Sequence, residues 1–140
     1  MAEDFIGAKA AVFIGDKLLV MLRDDIPTIP HPDVWDFPGG GREGDEAPYE
    51  TLAREVFEEF GLTITEAQVA WRLRRPSTTF PGHISWFFVV HLPAGSETDI
   101  VFGDEGQCWE LMSEEAFFAH PKHHPPYRAL MDQWHAAQAG

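Results

Sequence analysis

Glu55, Glu58 and Glu59 stand three and four residues apart. On a helix that spacing makes neighbours of them, and like charges so placed cost about 0.2–0.5 kcal/mol per pair. Acidic groups in a last helical turn also oppose the helix dipole, by about 0.3–1 kcal/mol each when exposed. A local rule broken this consistently points to a functional site. A divalent cation reverses the sign of the effect, because clustered carboxylates are hard oxygen ligands suited to Mg²⁺. Arg54 sits among them, four residues from both Glu50 and Glu58. The spacing lets it pair with either and position a carboxylate.

The element that carries these residues is a helix over 48–60. Pro48 suits a first turn and Gly61 suits a helix stop. Leu52, Ala53, Val56, Phe57 and Phe60 form an apolar stripe, with the carboxylates expected on the opposite side. Ala47 occupies the N-cap position, where it caps poorly, and Glu46 and Glu50 are placed to compensate. Around this helix the pattern predicts strands over 8–14, 17–22, 35–37, 69–75, 83–92 and 107–111. Gly15-Asp16 is a two-residue hairpin turn. Further helices are expected over 113–118 and 127–137, the latter with Tyr127, Leu130, Met131 and Trp134 inward. Three prolines within 27–32 exclude regular structure there. Strands, helix, strands, helix is the order of a mixed sheet with helices on both faces.

The run Gly40, Glu46, Arg54-Glu55-Val56, Glu58-Glu59, Gly61-Leu62 resembles the signature box of the Nudix hydrolases. At about 7% per residue type, its seven literal matches arise by chance with odds on the order of one in a million in a chain this long. The resemblance implies an α/β fold, a mixed β-sheet sandwiched between helices (α/β/α), and hydrolysis of a diphosphate linkage with Mg²⁺ or Mn²⁺. The ligands it implies are Glu55, Glu58, Glu59, Glu105 and the Gly40 carbonyl, with Arg54 as organiser. Either Glu55 or Glu105 would be the general base, and Asp104 is the fallback for Glu105. Trp35-Asp36-Phe37-Pro38-Gly39-Gly40, Phe80-Pro81-Gly82-His83-Ile84 and Glu105-Gly106-Gln107 extend the likeness toward the MutT-like branch. That branch places a phosphate-contacting arginine at the end of the second strand, here Arg23. Trp35, Phe37, Phe80 and Trp86 are candidates for stacking on a nucleobase, with Phe80 and Trp35 put first. The implied substrate is a nucleoside diphosphate linked to another group, first a (deoxy)nucleoside triphosphate. Alternatives are an RNA 5′-pyrophosphate, a dinucleoside polyphosphate, and a nucleotide sensor without catalysis. A Nudix-fold isomerase would need Cys108, the one cysteine. MutT-like sanitisers of oxidised guanine nucleotides read the base with an asparagine, and this chain has none.

The 140 residues are expected to form one domain over 1–140, since 44% hydrophobic content supports a real core. A net charge of −13 argues against a stable nucleic-acid complex. It does not argue against a small nucleotide partner, because a bound metal supplies local positive charge. One cysteine fits a reducing cytoplasm. The acidic start Met1-Ala2-Glu3-Asp4 and the absence of a long apolar run give no leader and no membrane partner. A monomer or homodimer is expected. Cys108 reads as a buried small hydrophobe. His120, His123 and His124 lack the complement of a zinc site and read as a loop.

Overall fold

A computed structural model describes residues 4–139; Met1–Glu3, read above as leader-free, and Gly140 lie outside the described residues. Strand β1 spans Gly7–Ile14 and β2 Lys17–Leu22. β3 is Trp35–Asp36 and β4 Gly39–Gly41. Helix α1, Pro48–Phe60, follows. β5 runs Val69–Pro76, β6 Ile84–Leu92 and β7 Cys108–Met112. Helices α2, Glu114–Ala119, and α3, Tyr127–Ala139, close the chain. Short 3₁₀ turns at Glu66–Gln68 and Ser96–Asp99 interrupt segments read as loop.

The strands form one mixed sheet in the order β3-β2-β1-β6-β5, with β4 paired to β1 and β7 to β2. β1 and β6 are parallel and the other pairs antiparallel. Successive side chains of a strand face opposite ways, so β1 feeds two cores. Ala8, Ala10 and Val12 pack with Leu52, Val56 and Phe60 of α1. Ala11 and Phe13 pack with Phe117, Leu130, Met131 and Trp134 of α2 and α3. The α/β/α sandwich expected from the pattern is the fold observed.

Three residues depart from expectation. Phe57 is 58% exposed and leaves the stripe. At 100° per residue it lies about 140° round the helix from Leu52, outside the arc that meets the sheet. Glu59, by contrast, lies only about 20° from Leu52, and it is buried rather than sharing a solvated side with Glu58. Cys108 is exposed, because it opens β7, which pairs only with β2 among the described strands.

The glycine run, outside every strand the pattern predicts, is itself a strand. Gly39, Gly40 and Gly41 pair with Lys9, Ala8 and Gly7. Gly39 has φ of 130°, and a Cβ there would lie 2.1 Å from the Ala8 carbonyl oxygen. Such backbone is essentially confined to glycine. Gly39→Ala should therefore cost at least about 2 kcal/mol, read as a lower urea midpoint. Wild-type stability in that variant would contradict the tight β1–β4 pairing.

Candidate active site

Helix α1 starts on Ala47, whose backbone N–H donates to Glu50 Oε1 at 2.8 Å. Glu46 accepts from the Glu43 N–H at 2.9 Å and from Thr51 Oγ1 at 2.9 Å. These two carboxylates supply the cap that Ala47 lacks.

One turn on, Arg54 gathers the acidic groups. Its Nε donates to Glu46 Oε2 at 2.7 Å, and its Nη1 reaches Glu55 Oε1 at 3.0 Å and Glu58 Oε2 at 3.2 Å. Its Nη2 donates to the Gly41 carbonyl at 2.7 Å. Glu50, a partner the spacing allowed, is engaged at the cap instead. The hydrogen bond from Arg54 holds the Glu46 carboxyl at about 2, and the same bonds raise the guanidinium above its ordinary value. Arg54 thus fixes the helix start, the glycine strand and two carboxylates in one arrangement.

Glu59 has no such cation in contact. It is 4% exposed, and its Oε1 accepts the Gly39 N–H at 2.9 Å. Burial pushes its carboxyl up to about 8, against the pull of Lys9 and the Gly39 N–H. Burial also raises Glu55, with Arg54 opposing. Gly40 lies against Glu55: a Cβ at Gly40 would sit 2.6 Å from the Glu55 carboxylate. Any side chain there would displace Glu55.

Glu105 reaches the same space from the loop after Ser96–Asp99. The Gly103 N–H donates to the Glu59 carbonyl at 2.9 Å, and a Cβ at Gly103 would lie 2.4 Å from the Glu58 carbonyl oxygen. Gly106, at φ of 85°, rests against Met21. Close approach at both glycines docks the loop on α1 and β2. The charge of Glu105 is felt at Glu55.

Behind the glycine strand lies a buried ion network that the sequence reading did not single out. Asp36 Oδ2 accepts from Lys9 Nζ and Arg23 Nη1, both at 3.0 Å. Its Oδ1 accepts from the Phe37 N–H at 2.8 Å and from the Tyr127 hydroxyl. Burial alone would raise the Asp36 carboxyl, but Lys9 and the Tyr127 hydroxyl overcome it and hold it at about 2. Lys9 Nζ also donates to the Gly39 carbonyl at 3.0 Å. Gly39 is therefore gripped on both sides, its N–H by Glu59 and its carbonyl by Lys9. Arg23 pairs with Asp36 and with the carbonyls of Pro30 and His31.

These groups surround a cleft of about 400 Å³. Glu55, Glu59, Glu105, Gly40, Arg23 and Phe80 all line it, with Lys9, Asp36, Arg75, His124 and Tyr127. Trp35 does not line it. Its side chain is buried in the α2–α3 core and its ring lies edge-on to His120, so the proposed stacking surface is core. The exposed Glu58 stands just outside, held by Arg54.

The donors fit a hard dication: carboxylates and glycine carbonyls, all oxygen, around a glycine with no room for a Cβ. Among the described residues, no three His, Cys, Asp or Glu side chains converge as a ready-made metal cage. Arg54 holds Glu55 and Glu58, while Glu59 turns to Gly39. Among the same residues no helix is long and apolar enough to cross a membrane.

Comparison with known proteins agrees with this architecture. A family model described as the NUDIX domain matches residues 6–134. A MutT protein from Methanosarcina mazei Go1 superposes with a TM-score of 0.76 at 21% identity, covering 100% of this chain and 99% of that one. An Ap4A hydrolase from C. elegans gives 0.71 at 18% identity, covering 96% and 98%. A bifunctional NMN adenylyltransferase/ADP ribose pyrophosphatase from Francisella tularensis, complexed with AMP and a Mn ion, gives 0.64 at 23% identity. That match covers 81% of this chain and 35% of the larger protein.

The buried carboxyl has a pH signature. Between 4.5 and about 8 the native chain keeps a proton on Glu59 that the unfolded chain has lost. Stability of the metal-free protein should therefore fall as pH rises through that window. His124, kept neutral down to about 4 from an ordinary 6.5, acts in the opposite sense between those two values. From 6.5 to 8 the Glu59 slope stands clear of it. Glu59→Gln should flatten it, as denaturant titrations with a chelator at both ends of the window will show. An unchanged slope in the variant would remove Glu59 as its source.

Proposed function

The chain belongs to the Nudix family and is a Nudix hydrolase; from that premise we propose that it cleaves nucleoside diphosphates linked to another moiety, first of all (deoxy)nucleoside triphosphates, giving monophosphate and pyrophosphate. The observation that carries this reading is the packing of Glu55 and Glu59 against Gly39 and Gly40 at one end of a nucleotide-sized cleft.

Nudix hydrolases generally work with divalent metal ions, and Mg²⁺ or Mn²⁺ is proposed here. Glu55, Glu58, Glu59, Glu105 and the Gly40 carbonyl would hold the ion. When bound, it would neutralise phosphate oxygens and acidify water. The protein's own part is orientation and proton transfer. Arg54 sets the rotamers of Glu55 and Glu58 through its fixed fork. Glu55 is the favoured acceptor for the proton of the attacking water, since burial has already moved its basicity toward neutral pH. Glu105, on the facing loop, is the second candidate. Arg23 keeps its place beside the cleft through Asp36 and offers its cationic edge to phosphate oxygens. Phe80, 53% exposed at the rim, offers a face for stacking.

The same reading takes residues 1–140 as one catalytic domain, cytoplasmic, acting as a monomer or homodimer on small molecules. A net charge of −13 supports the lack of a stable nucleic-acid partner. A substrate panel with Mg²⁺ and Mn²⁺ tests the assignment. It should include canonical and oxidised nucleotides, dinucleoside polyphosphates, ADP-ribose and 5′-triphosphorylated RNA. Glu58→Gln and Glu59→Gln should each lower metal-dependent turnover by at least about 10²-fold while circular dichroism shows a folded chain. Near-normal rates in both would overturn the ligand assignment, and nucleotide binding without phosphate release would favour a sensor.

A further inference from the structure

The cleft also holds two polar groups that the fold leaves without partners. Arg75 ends a cross-strand row: Gly41 pairs with Gly7, Gly7 with Ser85, and Ser85 with Arg75. With neighbouring strands about 4.8 Å apart, the Arg75 backbone stands roughly 14 Å from Gly41. Gly7 and Ser85 carry little or no side chain, so the row is an open floor with a cation at its far end. The Arg75 guanidinium is half-buried and lines the cleft, and it makes no hydrogen bond or ion pair among the described residues. Burial lowers its pKa, a mark of lost hydration that the Tyr127 hydroxyl opposes without overcoming.

His124 is the second group. It is 8% exposed, lines the cleft, and its Nδ1 has no hydrogen-bond partner. A parallel bridge between Trp35 and the neighbouring His123 holds it there: the Trp35 N–H donates to the Lys122 carbonyl, and the His124 N–H to the Trp35 carbonyl. The ring packs edge-on against Tyr127 at 4.9 Å, and Arg75 feels the same tyrosine. The imidazole stays neutral at neutral pH because it is desolvated. A buried donor or acceptor left unpaired is destabilising, and a ligand's own polar edge can offset that.

A phosphate site needs cations near the reacting carboxylates. Arg75 lies across the floor from them, the neutral His124 imidazole lines the same cleft, and Phe80 stands on the β5–β6 turn at its rim. A planar fork, a neutral ring nitrogen and an exposed aromatic face suit a flat heterocycle. We propose that Arg75, His124 and Phe80 form the nucleobase subsite, and that the Arg75 fork selects bases with two adjacent acceptors on one edge: guanine at O6 and N7, or cytosine at N3 and O2. Adenine sets a donor beside its acceptor, and so does thymine, so neither matches two parallel N–H donors. Guanine oxidised at C8 gains a hydrogen on N7 and loses the match too.

The inference rests on the nucleotide-hydrolase reading, so its test separates binding from turnover. Calorimetry with dGMP, dCMP, dAMP, dTMP, 8-oxo-dGMP and pyrophosphate reads base recognition with no bond to cleave. Wild type should bind dGMP or dCMP at least about ten-fold tighter than dAMP, dTMP or 8-oxo-dGMP, and the guanine and cytosine arms tell which. Arg75→Gln should abolish that preference and leave pyrophosphate affinity within about two-fold. Arg75→Lys keeps the charge but not the fork, and should lose the preference as well; thermal melts check that both fold. Equal weakening of every ligand including pyrophosphate would make Arg75 a phosphate contact and overturn the proposal. Wild-type binding without base preference, or a preference that survives in Arg75→Lys, would overturn it too. A base preference in a protein that cleaves no nucleotide would refute the hydrolytic reading alone.

Discussion

A carboxylate on the inward face of a helix is the constraint around which this structure is arranged. Glu59 points at the sheet within about 20° of Leu52, where little of it meets water. Burying an ionised carboxylate unpaired would cost several kcal/mol. The chain meets this with one backbone donor, one nearby ammonium group, and a proton that the carboxyl keeps up to about 8. Each measure constrains its surroundings. The Gly39 N–H must face the helix, so the peptide there takes a conformation confined to glycine. The Gly39 carbonyl is then directed to Lys9. β4 is thus a strand with no side chains, lying between an acid and a base.

Charge around the cleft is balanced by two hubs of opposite sign. Arg54 is a cation among acids, in contact with Glu43, Glu46, Glu55 and Glu58. Asp36 is an acid between cations, holding Lys9 and Arg23. The Arg54 hub sits at the helix and keeps mutually repelling carboxylates in place. The Asp36 hub is nearly sealed from water, so its ion pairs are little screened by salt and must keep their hydrogen bonds to stay favourable. Tyr127 completes it from α3, so the last helix is tied to the floor of the cleft.

Much of the fold was legible because it is periodic. The helix span 48–60 was readable to the residue, since proline, glycine and apolar spacing agree at both ends. β1, β2 and β6 stood out through hydrophobic content alone. β4 did not, because three glycines show no period and only pairing to β1 makes them a strand. Within the site, the box carboxylates and Arg54 were readable from type and spacing, and the fold brings Glu55, Glu59, Glu105, Arg23 and Phe80 to one cleft. The inward turn of Glu59 was present in the angle it makes with Leu52, but grouping it with Glu58 hid this. Asp36, Lys9 and Tyr127 carry no local signal: their partners lie 27 and 91 residues apart, a relation that only the folded sheet creates. Trp35 misled because an aromatic beside a glycine loop reads equally well as a stacking surface or as core.

The two ends of the cleft differ in how they are built. The carboxylate end stands on α1 and on glycine backbone that tolerates no side chain at Gly39, Gly40 or Gly103 without a clash. The opposite end is assembled from a strand terminus, a turn and a loop rich in proline and histidine. Rigid elements hold reacting groups to the tolerance chemistry demands, whereas loops can change composition without unfolding the scaffold. The loops here are nevertheless fixed. Lys122 Nζ contacts Asp33 at 2.6 Å, and Gln107 Nε2 donates to Asp33 and to the Arg23 carbonyl. That places the proline-rich segment, the Glu105 loop and the His124 loop against one another around Arg23. Asp36 then links this loop end to the glycine strand through Lys9. The glycine strand, Arg23 and the last helix therefore meet at a single buried carboxylate, which ties the reacting end of the cleft to the loops around Arg23.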